Sequence, residues 1–279
     1  MSVNAIPDDL RDALTAAVRV ARLLVASDFD GCIAPIVSRP HDATPNAASI
    51  TALRAAADLT DTTAAVISGR ALADLRLRTG LDDARVRLVG SHGSEFDEGF
   101  SHNQFGHNGA NKAGFQQEIT AAHTSLLTRV TAEFESIAHN HPGVSVETKP
   151  VSAALHVRNA APDVAAAALS LARTGAATWS GVQVTEGKAV IELSVIETSK
   201  GYALDLLRQE FAADAAIYLG DDVTDEKAFD HLRGEHDVSI KVGDGHTAAR
   251  YRIDSPDEVA SVLWLVADSR RKWLLHTQS

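Results

Sequence analysis

Asp28 and Asp30 stand one residue apart at the end of the apolar run Leu23-Leu24-Val25-Ala26, with Gly31 and Cys32 directly after them. Side chains two positions apart on an extended backbone point to the same side, so both carboxylates can converge on one cation or one substrate atom. Two acids that close repel unless a positive group joins them, which makes a divalent metal the natural third party. All-oxygen ligation favours magnesium over zinc. The same stretch reads equally as a strand end running into an Asp-Gly turn.

Three further stretches carry polar residues of the right kind. The run Thr63-Ala64-Ala65-Val66-Ile67 ends in Ser68-Gly69-Arg70, and Ala215-Ala216-Ile217-Tyr218-Leu219 ends in Gly220-Asp221-Asp222. Ser68, between a strand and a helix, can hold phosphate with its hydroxyl and nearby backbone N–H groups, and it is equally suited to cap the helix. Lys200 falls in the first turn of a helix, where a cation costs about 0.3–1 kcal/mol and asks for a nearby anion. A solvated surface lysine is the alternative. Asp225 and Glu226 suit a helix start on dipole grounds alone. Asp221, at a strand end beside another acid, is a candidate metal ligand, with Asp222 in support.

These residues need elements to bring them together. Leu10, Leu14, Ala17, Val18 and Ala21 lie at helical spacing and predict a leading helix over residues 7–22. Strands at 23–27, 63–67 and 86–90 alternate with helices at 46–59 and 71–79, a rhythm that implies a parallel sheet with right-handed crossovers. The rhythm breaks at a Gly-, Asn- and His-rich connector (99–109). A long helix follows at 111–140, then strands at 144–149 and 154–158, an Ala-rich helix at 162–173, and strands at 177–185 and 189–195. Strands that alternate apolar and polar residues indicate a half-exposed antiparallel sheet with helices on its other face. The parallel pattern then resumes with a helix at 200–211, strands at 215–219 and 238–242, and a closing helix at 255–274. The expected organisation is an α/β core of residues 1–109 and 196–279 interrupted by an α+β insertion of residues 110–195. Ligands of open α/β sheets bind at the carboxyl ends of strands, so the separated motifs can meet in one crevice.

Composition narrows the class. The chain has 279 residues, 45% of them hydrophobic, ample for a sizeable core. A formal net charge of -11 repels nucleic acid and anionic membranes, and neither is expected as a partner. A single cysteine, Cys32, excludes an intramolecular disulfide and suits a reducing cytoplasm. Asp8, Asp9, Arg11 and Asp12 interrupt any signal-like apolar region, and no apolar stretch reaches membrane-spanning length. A monomer is expected.

The order Asp28-x-Asp30, Ser68, Lys200, Asp221-Asp222 resembles the haloacid dehalogenase (HAD) superfamily of phosphotransferases. Within it, Ser68-Gly69-Arg70, Ser91-His92-Gly93 and Gly220-Asp221-Asp222-x-Thr224-Asp225-Glu226 are similar to the trehalose-6-phosphate phosphatases, across residues 23–244. The resemblance implies a Rossmann-like HAD core with a parallel sheet and an inserted C2-type cap. It also implies hydrolysis of trehalose 6-phosphate in trehalose biosynthesis through an aspartyl-phosphate. By resemblance Asp28 is the nucleophile and Asp30 the general acid and base, a division that position alone does not decide. Ser68 and Lys200 complete the catalytic set. Magnesium would join Asp28, Asp221 and a phosphate oxygen, with Asp30 contributing its backbone carbonyl and Asp222 in support. Cys32 stands where the superfamily usually has Thr. A thiol is the poorer donor, and alkylation or oxidation of Cys32 is expected to inhibit.

Within the insertion, Glu147 shares a strand face with Lys149, His156 shares one with Arg158, and Glu192 follows Lys188 on a later strand. Charged groups in pairs grip sugar hydroxyls well, and solvated cross-strand pairing accounts for the same pattern. The resembled family has Glu-x-Lys and Gly-Lys-x-x-x-Glu here, matched by Glu147/Lys149 and Gly187-Lys188/Glu192. The expected substrate-binding residues are therefore Arg70, His92, Glu147, Lys149, Arg158, Lys188 and Glu192. The rivals are the same chemistry on sucrose 6-phosphate or mannosyl-3-phosphoglycerate, and a non-catalytic phospho-accepting receiver, which the insertion and Asp30 disfavour.

Overall fold

The structure, a computed structural model, describes residues 6–82, 85–97, 120–187, 189–196 and 198–277. The chain divides into two compact units, Met1–Gln104 with Ser199–Ser279, and Phe105–Thr198. The expected connector at 99–109, residues 111–119 of the predicted long helix and the expected boundary at 109/110 lie outside the described residues.

The first unit is built on a sheet of β1 (Leu23–Ser27), β2 (Thr62–Ile67), β3 (Val86–Gly90), β4 (Glu95–Phe96), β9 (Ala215–Gly220), β10 (Val238–Val242) and β11 (Tyr251–Ile253). Its order is β11-β10-β9-β1-β2-β3-β4, parallel throughout except that β4 runs antiparallel to β3. The mostly parallel α/β fold expected from the sequence is therefore present. Ser27 at the end of β1 pairs with Val66 on one side and Leu219 on the other, so the chain leaving three neighbouring strands emerges on one edge. The strands after β1 run outward in opposite directions, which makes this edge the topological switch point.

Helices cover both faces. Leu23, Val25, Ile217 and Leu219 pack with residues of α1 (Asp8–Ala17), α2 (Ala47–Ala57) and α8 (Pro256–Thr277). Leu24, Ala26, Ala216 and Tyr218 pack with α6 (Lys200–Glu210) and α7 (Val223–His231). Burial on both faces is why β1 reads as a continuous apolar run. The helix α3 (Leu72–Thr79) follows β2.

The helix predicted over 7–22 stops at Ala17. The buried Arg270 guanidinium donates to the carbonyls of Val18, Val20 and Ala21, which follow the helix end, and to that of Asp61, so the acceptors of this turn are satisfied without further helix. Strands β4 and β11 have no counterpart in the sequence reading. At two and three residues they are too short to show a period.

The second unit pairs β5 (Ser145–Thr148), β6 (Ser152–His156), β7 (Gln183–Gly187) and β8 (Val190–Ser194) in the antiparallel order β5-β6-β8-β7. The predicted strand at 177–185 is instead a 3₁₀ turn, Ala176–Thr178, followed by β7. Ala153, Leu155, Ile191 and Leu193 point from one face into a core shared with α4 (Ala121–Asn140) and α5 (Pro162–Thr174). The opposite face carries Glu147, Lys149, Ser152, His156 and Glu192. Among the described residues no helix is long and apolar enough to cross a membrane.

Candidate active site

The residues at the switch point form one buried ionic network. Lys200 opens α6, capped by the Ser199 hydroxyl, and its ammonium lies 2.7 Å from Asp28 Oδ2 and 2.9 Å from Asp225 Oδ1. The side chains of Lys200, Asp28 and Asp225 are only 2%, 6% and 0% exposed. Asp225 also accepts from the Tyr218 hydroxyl at 2.6 Å and from the backbone N–H groups of Asp221 and Asp222 at 3.1 and 3.0 Å. Both of its oxygens are thus fully engaged, and its role in the geometry is to hold the Asp221 turn and Lys200 in place.

One carboxylate oxygen each from Asp28, Asp221 and Asp225 lies within 4.8 Å of the others. With the acceptors of Asp225 already used, Asp28 and Asp221 are the groups left to meet a cation. Gly31 makes their approach possible. It sits at φ +82°, and a Cβ there would lie 2.0 Å from Asp221 Oδ2. The electrostatics agree. Burial, followed by Asp225, pushes Asp221 up to about 6, and burial also pushes Asp28 well above the ordinary carboxylate range despite Lys200. Burial would lift Asp225 too, but Lys200, Tyr218 and the backbone of Asp222 hold it below its usual value. Lys200 itself is shifted upward, because Asp225 and Asp28 outweigh the burial of its ammonium. Three acids against Lys200 and Lys241 leave excess negative charge in a buried place. An all-oxygen donor set with that charge fits a hard divalent cation.

Asp30 is placed differently. Its carboxylate is gripped by Arg70, Nε to Oδ2 and Nη2 to Oδ1, both at 2.7 Å, and Arg70 also donates to Asp74 and to the Pro40 carbonyl. The guanidinium lies over the Phe29 ring, 5.2 Å from its centroid. The side chain of Asp30 is therefore outside the acidic triad. Asp222 is the N-cap of α7, accepting from the Val223 N–H at 2.8 Å and forming a capping box with Asp225. Its geometry is that of a cap.

Ser68 is buried just past β2. Its carbonyl accepts from the His92 N–H at 3.0 Å, and its hydroxyl oxygen accepts from the Arg70 N–H at 3.2 Å. His92 rests against Gly69, where a Cβ would come within 2.5 Å of the ring. Ser91, His92 and Gly93 have φ of +48°, +54° and +102°, a strained turn tied back by the Ser91 hydroxyl, which donates to Glu95 at 2.5 Å.

In the second unit Lys149 and Ser152 donate to the two oxygens of Glu192 at 2.7 and 2.6 Å. Glu147 meets His156 at 2.8 Å. Arg158 lies past the end of β6, exposed in the turn, and Lys188 lies outside the described residues.

On sequence grounds Asp225 reads as a helix-start acid, and nothing in the motifs singles out Tyr218. A tyrosine inside a strand buried on both faces needs a hydroxyl partner, and that was the available signal. Lys241 is a further residue that the motifs do not single out. It is buried on β10, and its ammonium donates to the Asp221 carbonyl.

Residues 26–257 match the family described as trehalose-phosphatase. A trehalose-phosphate phosphatase of Mycobacterium marinum is 37% identical over 270 residues, covering 90% of this chain and 64% of the relative. One from Mycobacterium tuberculosis is 36% identical over 272 residues, covering 92% and 65%. The chain therefore spans about 64% of the length of such relatives. The C-terminal domain of C. albicans trehalose-6-phosphate phosphatase superposes with a TM-score of 0.75 at 23% identity, covering 96% of this chain and 99% of that one. The Aspergillus fumigatus trehalose-6-phosphate phosphatase gives 0.63 at 25% identity, covering 93% and 97%.

Proposed function

The chain belongs to the trehalose-phosphatase family, and from that premise we propose that it is a magnesium-dependent phosphatase that hydrolyses trehalose 6-phosphate to trehalose and phosphate. The observation that carries the reading is the buried Asp28–Lys200–Asp225 network beside Asp221 at the switch point of the sheet.

In this mechanism Asp28 attacks the phosphorus in line, forming an acyl phosphate as the bond to the sugar oxygen breaks. The departing oxygen takes a proton from Asp30, and Asp30 then takes one from the water that cleaves the acyl phosphate. Both roles require the Asp30 carboxyl to leave Arg70, which is freed to meet a phosphate oxygen. Lys200 keeps Asp28 oriented, and Ser68 offers its hydroxyl to the transferred group. A magnesium ion held by Asp28 and Asp221 would supply charge neutralisation of the phosphate. Glu147, Lys149, Arg158, Lys188 and Glu192 are proposed to bind sugar hydroxyls, as His92 and Arg70 would bind the phosphate end.

The test is phosphate release, with and without magnesium, from trehalose 6-phosphate, glucose 6-phosphate, sucrose 6-phosphate and mannosyl-3-phosphoglycerate. Metal-dependent preference for trehalose 6-phosphate is expected. Metal-dependent preference for another sugar would leave the Asp28 chemistry standing and overturn the substrate.

A further inference from the structure

On the polar face of the second sheet, Glu147 and Glu192 occupy one row, each paired across from Ala154 on β6. Their side chains are drawn in opposite directions along the strands. Glu192 turns to Lys149 and Ser152, and Glu147 turns to His156, its diagonal neighbour. The two halves also differ in access. Lys149 and Glu192 are 4% and 11% exposed, a closed pair, whereas His156 and Glu147 are 33% and 43% exposed. Of the two carboxylate clusters, the accessible one is thus the imidazole–carboxylate pair.

Glu147 is held below the usual glutamate range, first by its hydrogen bond with His156, so it is ionised at neutral pH. An ionised carboxylate has no proton to give, so His156 Nε2 must be the donor in this contact. A half-exposed glutamate otherwise samples several rotamers, each of which a ligand would have to freeze out on binding.

We infer that His156 is a positioning residue that fixes the Glu147 carboxylate for recognition of the substrate's sugar hydroxyls. The inference rests on the sugar-phosphate reading above and adds to it a residue that acts through Glu147. His156 contributes to sugar affinity and leaves the phosphoryl chemistry untouched.

The experiment compares wild type, His156→Ala and His156→Gln on trehalose 6-phosphate and on p-nitrophenyl phosphate, which has no sugar. Gln presents an amide donor at a reach similar to Nε2. For His156→Ala, KM for trehalose 6-phosphate should rise by about tenfold, the loss of one hydrogen bond to a charged group, with kcat within about twofold. Turnover of p-nitrophenyl phosphate should not change, and His156→Gln should recover most of the lost affinity. An unchanged KM, or equal losses on both substrates, overturns the inference. Wild type that hydrolyses p-nitrophenyl phosphate but not trehalose 6-phosphate overturns the sugar reading itself, a separate and recognisable outcome.

Discussion

Lys200 donates to Asp28 across 2.7 Å with both side chains almost wholly removed from water. The same ammonium reaches Asp225, so one cation holds two buried acids in register. Lysine in the first turn of a helix is unfavourable on its own, and here the network supplies the anions that its position demands.

Removing that cation should therefore be costly. Lys200→Met leaves Asp28 and Asp225 buried without their partner, and a loss of about 3–5 kcal/mol is expected from urea unfolding in metal-free buffer. Saturating magnesium should recover part of it, because a divalent ion restores neutralising charge. A loss below about 1 kcal/mol would show that the network does not depend on Lys200.

Gly31→Ala places a methyl group where Asp221 Oδ2 now lies, on a backbone that L side chains rarely adopt. Asp221 must move away. Magnesium affinity, read by titration calorimetry, should fall at least about tenfold. Wild-type affinity in Gly31→Ala would remove Asp221 from the proposed metal site.

The displaced acids predict a direction for stability against pH. Asp221 at about 6, and Asp28 also raised, take up protons in the folded metal-free protein before they do so in the unfolded chain. Between about pH 6 and the ordinary carboxylate range the native state binds more protons, so their contribution to stability grows as pH falls through that window. Asp225, held low, works the other way and is felt only below its unfolded value. With EDTA present, Tm from pH 7.5 to 5.0 should fall less, or rise more, than in Asp221→Asn. Identical profiles in the two proteins would contradict the assignment.

Cys32 corrects an expectation. The thiol is fully buried, and burial followed by Asp28 pushes its pKa well above the usual thiol range. Reactivity requires an accessible thiolate, so the inhibition by alkylation expected from the sequence should not occur in the native state. Iodoacetamide at pH 7.5 should label Cys32 only after unfolding. Stoichiometric labelling of the folded protein within minutes would refute this.

Much of the core was legible because strand ends announce themselves. Asp28, Ser68 and Asp221 each follow an apolar run, and the sheet sets their strands side by side. What escaped was long-range. Asp225 has a sufficient local explanation as a helix-start acid, and only the fold reveals that Lys200, 25 positions away, is its partner. The hold of Arg70 on Asp30 spans 40 positions, and the end of α1 is fixed by Arg270 from more than 240 positions away. In the insertion, alternation gave the polar face but not the division of its charges. Whether Glu192 turns toward Lys149 or toward another neighbour is decided by side-chain packing that no period encodes.

The most direct test of the account is phosphate release from trehalose 6-phosphate in magnesium by wild type and Asp28→Asn, side by side. Metal-dependent turnover by wild type and a loss of at least about a thousandfold in Asp28→Asn are predicted, since the nucleophile is gone while the fold and the metal loop remain. Turnover by Asp28→Asn at the wild-type rate, or none by either protein, would contradict it.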